Sequence, residues 1–183
     1  EDATCAATDQ RGVPRPQGPH CDMGAYEQVK GFLFARPGGY TSIIPGGACN
    51  SWANACELRF ILSIAGYGTE IWAAEGTYLP TDGTDRYAAF PLQNWTSIYG
   101  GFDGTETARD QRDPSANLTV LSGDIGTPGD PTDNVLTVVQ ASNTDATAVL
   151  NGFTITGGYA DCDCAGGGMY VENGSPTLEE YPP

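Results

Sequence analysis

Apolar positions recur with a period of two in several short runs, and Gly, Pro, Asn or Asp breaks each run after a few residues. The pattern is clearest over Ala146–Leu178, where Val149–Ile155, Met169–Val171 and Pro176–Leu178 read as strands. Phe153 and Ile155 alternate with Thr154 and Thr156, which places the two sets on opposite faces. Gly157, Gly158, Gly166, Gly167 and Gly168 separate the runs, and Asn173 and Gly174 precede the last. Strands this short do not make an independent sheet, and no intervening turn has hairpin length with matched flanks. They must therefore pair with equivalent strands elsewhere in the chain. The predicted arrangement is a parallel β-solenoid, in which each coil supplies a few strands to the coils above and below it.

The same punctuation runs back through the chain. Glu70–Ala74, Thr96–Tyr99, Thr119–Leu121 and Asn134–Val139 are predicted strands, with longer loops at Thr81–Arg86, Asp103–Pro114 and Gly126–Asp133. One stretch has helical spacing. Over residues 50–65, Leu58, Ile61, Leu62 and Ala65 fall on one face, Asn50 or Ser51 can cap, and Gly66 and Gly68 stop the helix. An amphipathic helix before the first coil would cover unpaired strand edges. Residues 28–48 carry Gly and Pro pairs and read as a linker. Residues 1–27 are polar and Pro-rich, and residues 49–183 form the predicted β-domain.

Composition agrees with a turn-rich β protein: among 183 residues there are 25 glycines and 13 prolines, and only 17% are charged. Net charge is −15 and Lys plus Arg total 8, without a basic cluster, which argues against nucleic acid and anionic membrane as partners. No apolar run is long enough to cross a membrane. Glu1-Asp2-Ala3-Thr4 lacks the basic start and apolar core of a signal peptide, so a secreted form would be mature or part of a longer chain. The six cysteines form three local pairs, Cys5 with Cys21, Cys49 with Cys56 and Cys162 with Cys164. That spacing suggests disulfides and an oxidising compartment. A Cys162–Cys164 bridge would need a sharp turn, and bonding to another chain is the alternative. A single His and the absence of CxxC argue against zinc.

Several strings resemble bacterial secreted right-handed parallel β-helix repeat proteins. GFTITGG and GGGMYVENGSPTL are similar to their rungs. Trp52–Leu58, Gly68–Tyr78, GTYLPTDGTDR, IYGGFDGTETARDQRD and LSGDIGTPGD resemble their opening coils. The N-terminal segment resembles the choice-of-anchor Q type segment that closes such proteins: Asp9, Arg11, Gly12, Pro14, Arg15, Pro16, Gly18, Cys21, Asp22, Gly24, Ala25, Tyr26 and Glu27 fit DxRGxPRPxGxxCDxGAYE. In the family this is a C-terminal feature; here it comes first. The resemblance implies an all-β fold, a short right-handed parallel β-helix with a capping α-helix and a disulfide-tied N-terminal extension.

Two functional classes follow. In the first, the chain is a structural subunit of an extracellular or cell-surface filament. The leading segment (Arg11, Pro14, Pro16, Cys21, Asp22, Tyr26) of one copy covers the open end (Met169, Val171, Leu178) of the next, a head-to-tail contact that propagates. The rival is a polysaccharide-binding or polysaccharide-degrading module, or a fragment of a larger surface adhesin. Its catalytic candidates are Asp82, Asp85, Arg86, Asp103, Asp110, Arg112, Asp113, Asp124, Asp130 and Asp133. All lie in Gly/Pro-rich turns, where Asp is favoured for local hydrogen bonding alone, so no catalytic residue is assigned. Asp124, Asp130 and Asp133, with nearby carbonyls, are candidate calcium ligands, with solvated turn carboxylates the alternative. Trp72, Tyr78, Trp95, Tyr99 and Tyr159 are candidates for a sugar platform, with core stacking the alternative. Asn94, Asn117 and Asn173 begin glycosylation acceptor triplets, which matter only on a eukaryotic secretory route.

Overall fold

The structure, a computed structural model, describes residues 6–8, 10, 31–43, 49–161 and 166–179. Among these, eleven strands and one α-helix are found: β1 (Phe32–Tyr40), α1 (Leu58–Ile64), β2 (Thr69–Ala74), β3 (Gly76–Tyr78), β4 (Phe90–Pro91), β5 (Thr96–Phe102), β6 (Thr119–Ser122), β7 (Val139–Ser142), β8 (Val149–Asn151), β9 (Thr154–Thr156), β10 (Met169–Glu172) and β11 (Thr177–Glu179). The protein is all-β in class, with strands in three parallel sheets ordered β1-β2-β5-β8-β11, β3-β6-β9 and β4-β7-β10. From β2 onward the chain visits the three sheets in strict rotation.

Register explains how such short strands hold together. Leu33, Ile71, Ile98, Leu150 and Leu178 stand in one line across the first sheet. Tyr78, Leu121 and Ile155 line up across the second sheet, and Phe90, Val139 and Met169 across the third. These three columns supply the centre of the core. Each strand contributes one or two apolar residues, too little to bury alone, and the column is completed by its neighbours. Neighbouring strands lie about 4.8 Å apart, so the five-strand sheet spans roughly 19 Å from β1 to β11.

The opposite face of the first sheet is also covered at its β1 end. Trp72 stacks on Phe102 with centroids 4.8 Å apart and planes 9° apart, and Phe34 packs edge-on against Trp52 and Trp72. This leaves Trp72 buried and gives β2 apolar contacts on both sides. Tyr78 crosses the core; its hydroxyl lies 3.1 Å from the Ala35 carbonyl oxygen and 2.9 Å from that of Ala74.

Several sequence expectations change in detail. The Val149–Ile155 run divides at Gly152, whose φ of +77° turns the chain, so β8 and β9 belong to different sheets. Asn134–Val139 is not one strand: after a 3-10 turn at Pro131–Asp133 comes a connection with Asn134, Val135 and Val138 buried, and the strand is Val139–Ser142. The helix is shorter than residues 50–65, with a 3-10 turn at Trp52–Asn54 ahead of Leu58–Ile64. Asn50 and Ser51 do not cap α1, whose N-terminal flanking residue is Glu57. The stretch read as a linker contains β1, paired parallel with β2 from Phe32 to Ala35.

Candidate functional site

The three sheets end together at one pole. There β9 pairs with β6, β10 with β7 and β11 with β8, and none of the three has a described neighbour on its other side. The columns lose their cover at the same place. Leu150 is 5% exposed, whereas its register partner Leu178 is 53% exposed. Ile155 and Met169 are half-buried, while Leu121 and Val139 beneath them are 1% and 0% exposed. Val171 is 41% exposed. A hollow of about 400 Å³ opens here between Leu150, Phe153, Ile155, Leu178 and Glu179. Among the described residues the pole thus combines parallel-strand edges with no further partner, a kind of edge that can template strands, with an apolar depression.

A polar line runs to this pole along the outer face. Arg112 donates to the Gly100 carbonyl and to Asn151 Oδ1, and Asn151 Nδ2 donates to Glu179 Oε2 at 2.7 Å. Arg109 and Arg112 both lie over the Tyr99 ring, and Arg109 pairs with Glu70 at 3.2 Å. Glu179 and Glu172 give the pole rim acidic character.

The candidate carboxylates are distributed among turns. Asp82 pairs with Arg59 at 2.5 Å, Asp85 accepts from Tyr87 N, and Asp113 from Ser115 N. Asp103 accepts from Thr105 N and Oγ1, and these bonds hold its carboxyl below the usual range. Thr132 does the same for Asp130. Asp124 accepts from Gly129 N and Asp133 from Thr127 N, so the three proposed calcium ligands each serve local backbone. Among the described residues no group of three or more His, Cys, Asp or Glu side chains is placed to share a metal ion. Arg86 ties loops together, donating to the carbonyls of Asn134 and Tyr159 and to Asp161, whose carboxyl is lowered as a result. Asp110 lies on an exposed 3-10 turn at Arg109–Gln111.

Cys49 and Cys56 form a disulfide, both fully buried beside the helix. Cys5, Cys21, Cys162 and Cys164 lie outside the described residues, as do Arg11, Pro14, Pro16, Asp22 and Tyr26. Of the sugar-platform aromatics, Trp72 and Tyr78 are core, Tyr99 is covered by two arginines, and Trp95 and Tyr159 are exposed. Sequence reasoning did not single out Phe153, Ile155 and Leu150 as pole residues. Their alternation was visible, but which strands lie last in the three sheets depends on pairing.

No protein-family model, no curated protein and no solved structure matches this chain.

Proposed function

We propose that the chain is a structural module, a short right-handed parallel β-helix that assembles head to tail with further copies in an extracellular or surface filament. The rotation of the chain through three parallel sheets supports the β-helix reading, and its hand follows from the strong preference for right-handed parallel crossovers. The observation that carries the assembly reading is the pole at β9, β10 and β11, where three sheet edges and the ends of three apolar columns coincide. β1 lies at the opposite edge of the first sheet, so the chain enters β1 at the far pole. In a head-to-tail stack the leading segment meets the open pole of the next copy. Its sequence, residues 1–27, resembles a closing segment of β-helix proteins.

Such a contact is heterologous and grows into a filament unless it closes into a ring. Negative-stain electron microscopy tests it. Intact protein should form long assemblies and protein lacking residues 1–27 should not. Intact protein seen only as single particles at high concentration would overturn the reading.

A further inference from the structure

Two Asn-Gly dipeptides occur in the sequence, Asn151-Gly152 and Asn173-Gly174. The dipeptide is chemically labile: glycine has no Cβ to shield its backbone N from the preceding side chain, and asparagine is among the thermolabile residues. The fold treats the two differently. Asn151 is 6% exposed. Arg112 donates to its Oδ1, its Nδ2 donates to Glu179 Oε2 at 2.7 Å, and Gly152 N donates to the Glu179 carbonyl at 3.3 Å. Both the side-chain amide and the following backbone N are therefore engaged. Asn173 lies exposed in the turn between β10 and β11. Among the described residues no hydrogen bond holds its side chain, and Gly174 N meets no acceptor. Only the ends of the turn are tied: Asn143 N donates to the Glu172 carbonyl and Ser175 N to the Thr144 carbonyl, both at 2.8 Å. Packing keeps glycine at 174, because a Cβ there would lie 2.7 Å from Thr144 Oγ1 and 3.0 Å from the Thr144 carbonyl oxygen. Asn143 has a similar left-handed backbone, φ +53° against +50° at Asn173, but β-branched Thr144 follows it.

We propose that Asn173 is a site of spontaneous deamidation in the folded protein and that Asn151 is protected from it. Gly174 N gives its proton to water and attacks Asn173 Cγ. The new C–N bond closes a succinimide ring, the Cγ–Nδ2 bond breaks, and Nδ2 leaves as ammonia, taking up a proton. Water then opens the ring. Attack at Cγ yields aspartate; attack at the main-chain carbonyl carbon yields isoaspartate, in which the backbone runs through Cγ. The net change is amide plus water to carboxylate plus ammonium. Adjacent residues make the ring closure intramolecular. The Asn173 side chain is free to rotate onto Gly174 N, whereas Asn151 must first leave Arg112 and Glu179. Either product adds a negative charge beside Glu172. This chemistry is independent of assembly.

Peptide mapping by mass spectrometry tests it on dilute intact protein held at mildly alkaline pH, with a urea-unfolded sample beside it. In the folded protein Asn173 should convert at least about tenfold faster than Asn151, which must first lose charge-assisted hydrogen bonds. In urea the two should convert at similar rates, and fragmentation should find both aspartate and isoaspartate. Asn173→Gly accepts the left-handed backbone, so it should fold normally and lack the acidic species that the native protein accumulates on ion exchange. Equal conversion of both asparagines in the folded protein, faster conversion of Asn151, or an Asn173 that keeps its amide while the unfolded chain loses it would overturn the proposal.

Discussion

Leu150 and Leu178 stand side by side in register on β8 and β11, yet one is 5% exposed and the other 53%. Their chemistry is identical; only the presence of a further strand differs. Leu150→Ala should therefore cost about 2–4 kcal/mol, through lost transfer energy and a cavity. Leu178→Ala in the separated chain should change stability by less than about 0.5 kcal/mol. Urea denaturation of dilute protein compares the two. Equal costs would mean that the pole is covered even in a single chain.

Tyr78 links β1 to β2 through the carbonyls of Ala35 and Ala74. Tyr78→Phe leaves both buried carbonyls short of that donor and should cost about 1–2 kcal/mol. Burial, with the charge of Glu57 a smaller cause, pushes the Tyr78 phenol far above its ordinary value of 10.0. The folded state thus retains a proton that the unfolded chain releases. Stability from this group is intact below pH 10 and falls above it, with a limiting slope of about 1.4 kcal/mol per pH unit. Chemical denaturation between pH 9 and about 11 should show a steeper decline for the native protein than for Tyr78→Phe.

The Cys49–Cys56 bridge closes a loop with a sequence separation of 7 next to the N-terminal end of α1. The chain-entropy relation gives roughly 2.5 kcal/mol for such a loop. Cys49→Ser with Cys56→Ser should lower the urea midpoint correspondingly. An unchanged midpoint would show that the packing of Leu58, Ile61 and Leu62 fixes this segment without the bridge.

Arg86 donates to Asp161 and to the carbonyls of Asn134 and Tyr159, drawing the loop before β4 toward the loop after β9. The lowered Asp161 carboxyl stabilises the fold at neutral pH, and that contribution is lost as pH falls below the ordinary value of 3.8. In Arg86→Ala, NMR titration should return Asp161 toward its ordinary range. An unmoved titration would mean that the pair does not form in solution.

The sequence carried the strand material better than the sheet membership. Thr96, Ile98, Met169 and Leu178 could be placed on strands from alternation alone. Gly152 was visible as a break, but only its positive φ shows that Val149–Asn151 and Thr154–Thr156 enter different sheets. Phe90–Pro91 is too short for any periodicity to register and becomes a strand because Val139 pairs with Phe90. Phe32–Phe34 was hidden beside Pro37-Gly38-Gly39, whose turn chemistry outweighed the short apolar patch. The turn carboxylates were readable because their partners are local, as Asp103 with Thr105 and Asp130 with Thr132. Met169, Val171 and Leu178 could be placed on strands from alternation, whereas Phe153 and Leu150 border the same hollow only through the pairing of the last strands.

The most direct measurement is sedimentation velocity of the intact protein over a wide concentration range, beside Leu178→Lys. A lysine at this site places a charge where the next copy's apolar contact would form, while leaving an exposed residue of the separate chain unstrained. Intact protein should sediment as a growing series of larger species as concentration rises, and Leu178→Lys should stay monomeric with an unchanged Tm. Intact protein that remains monomeric throughout, or Leu178→Lys that assembles equally well, would contradict the account.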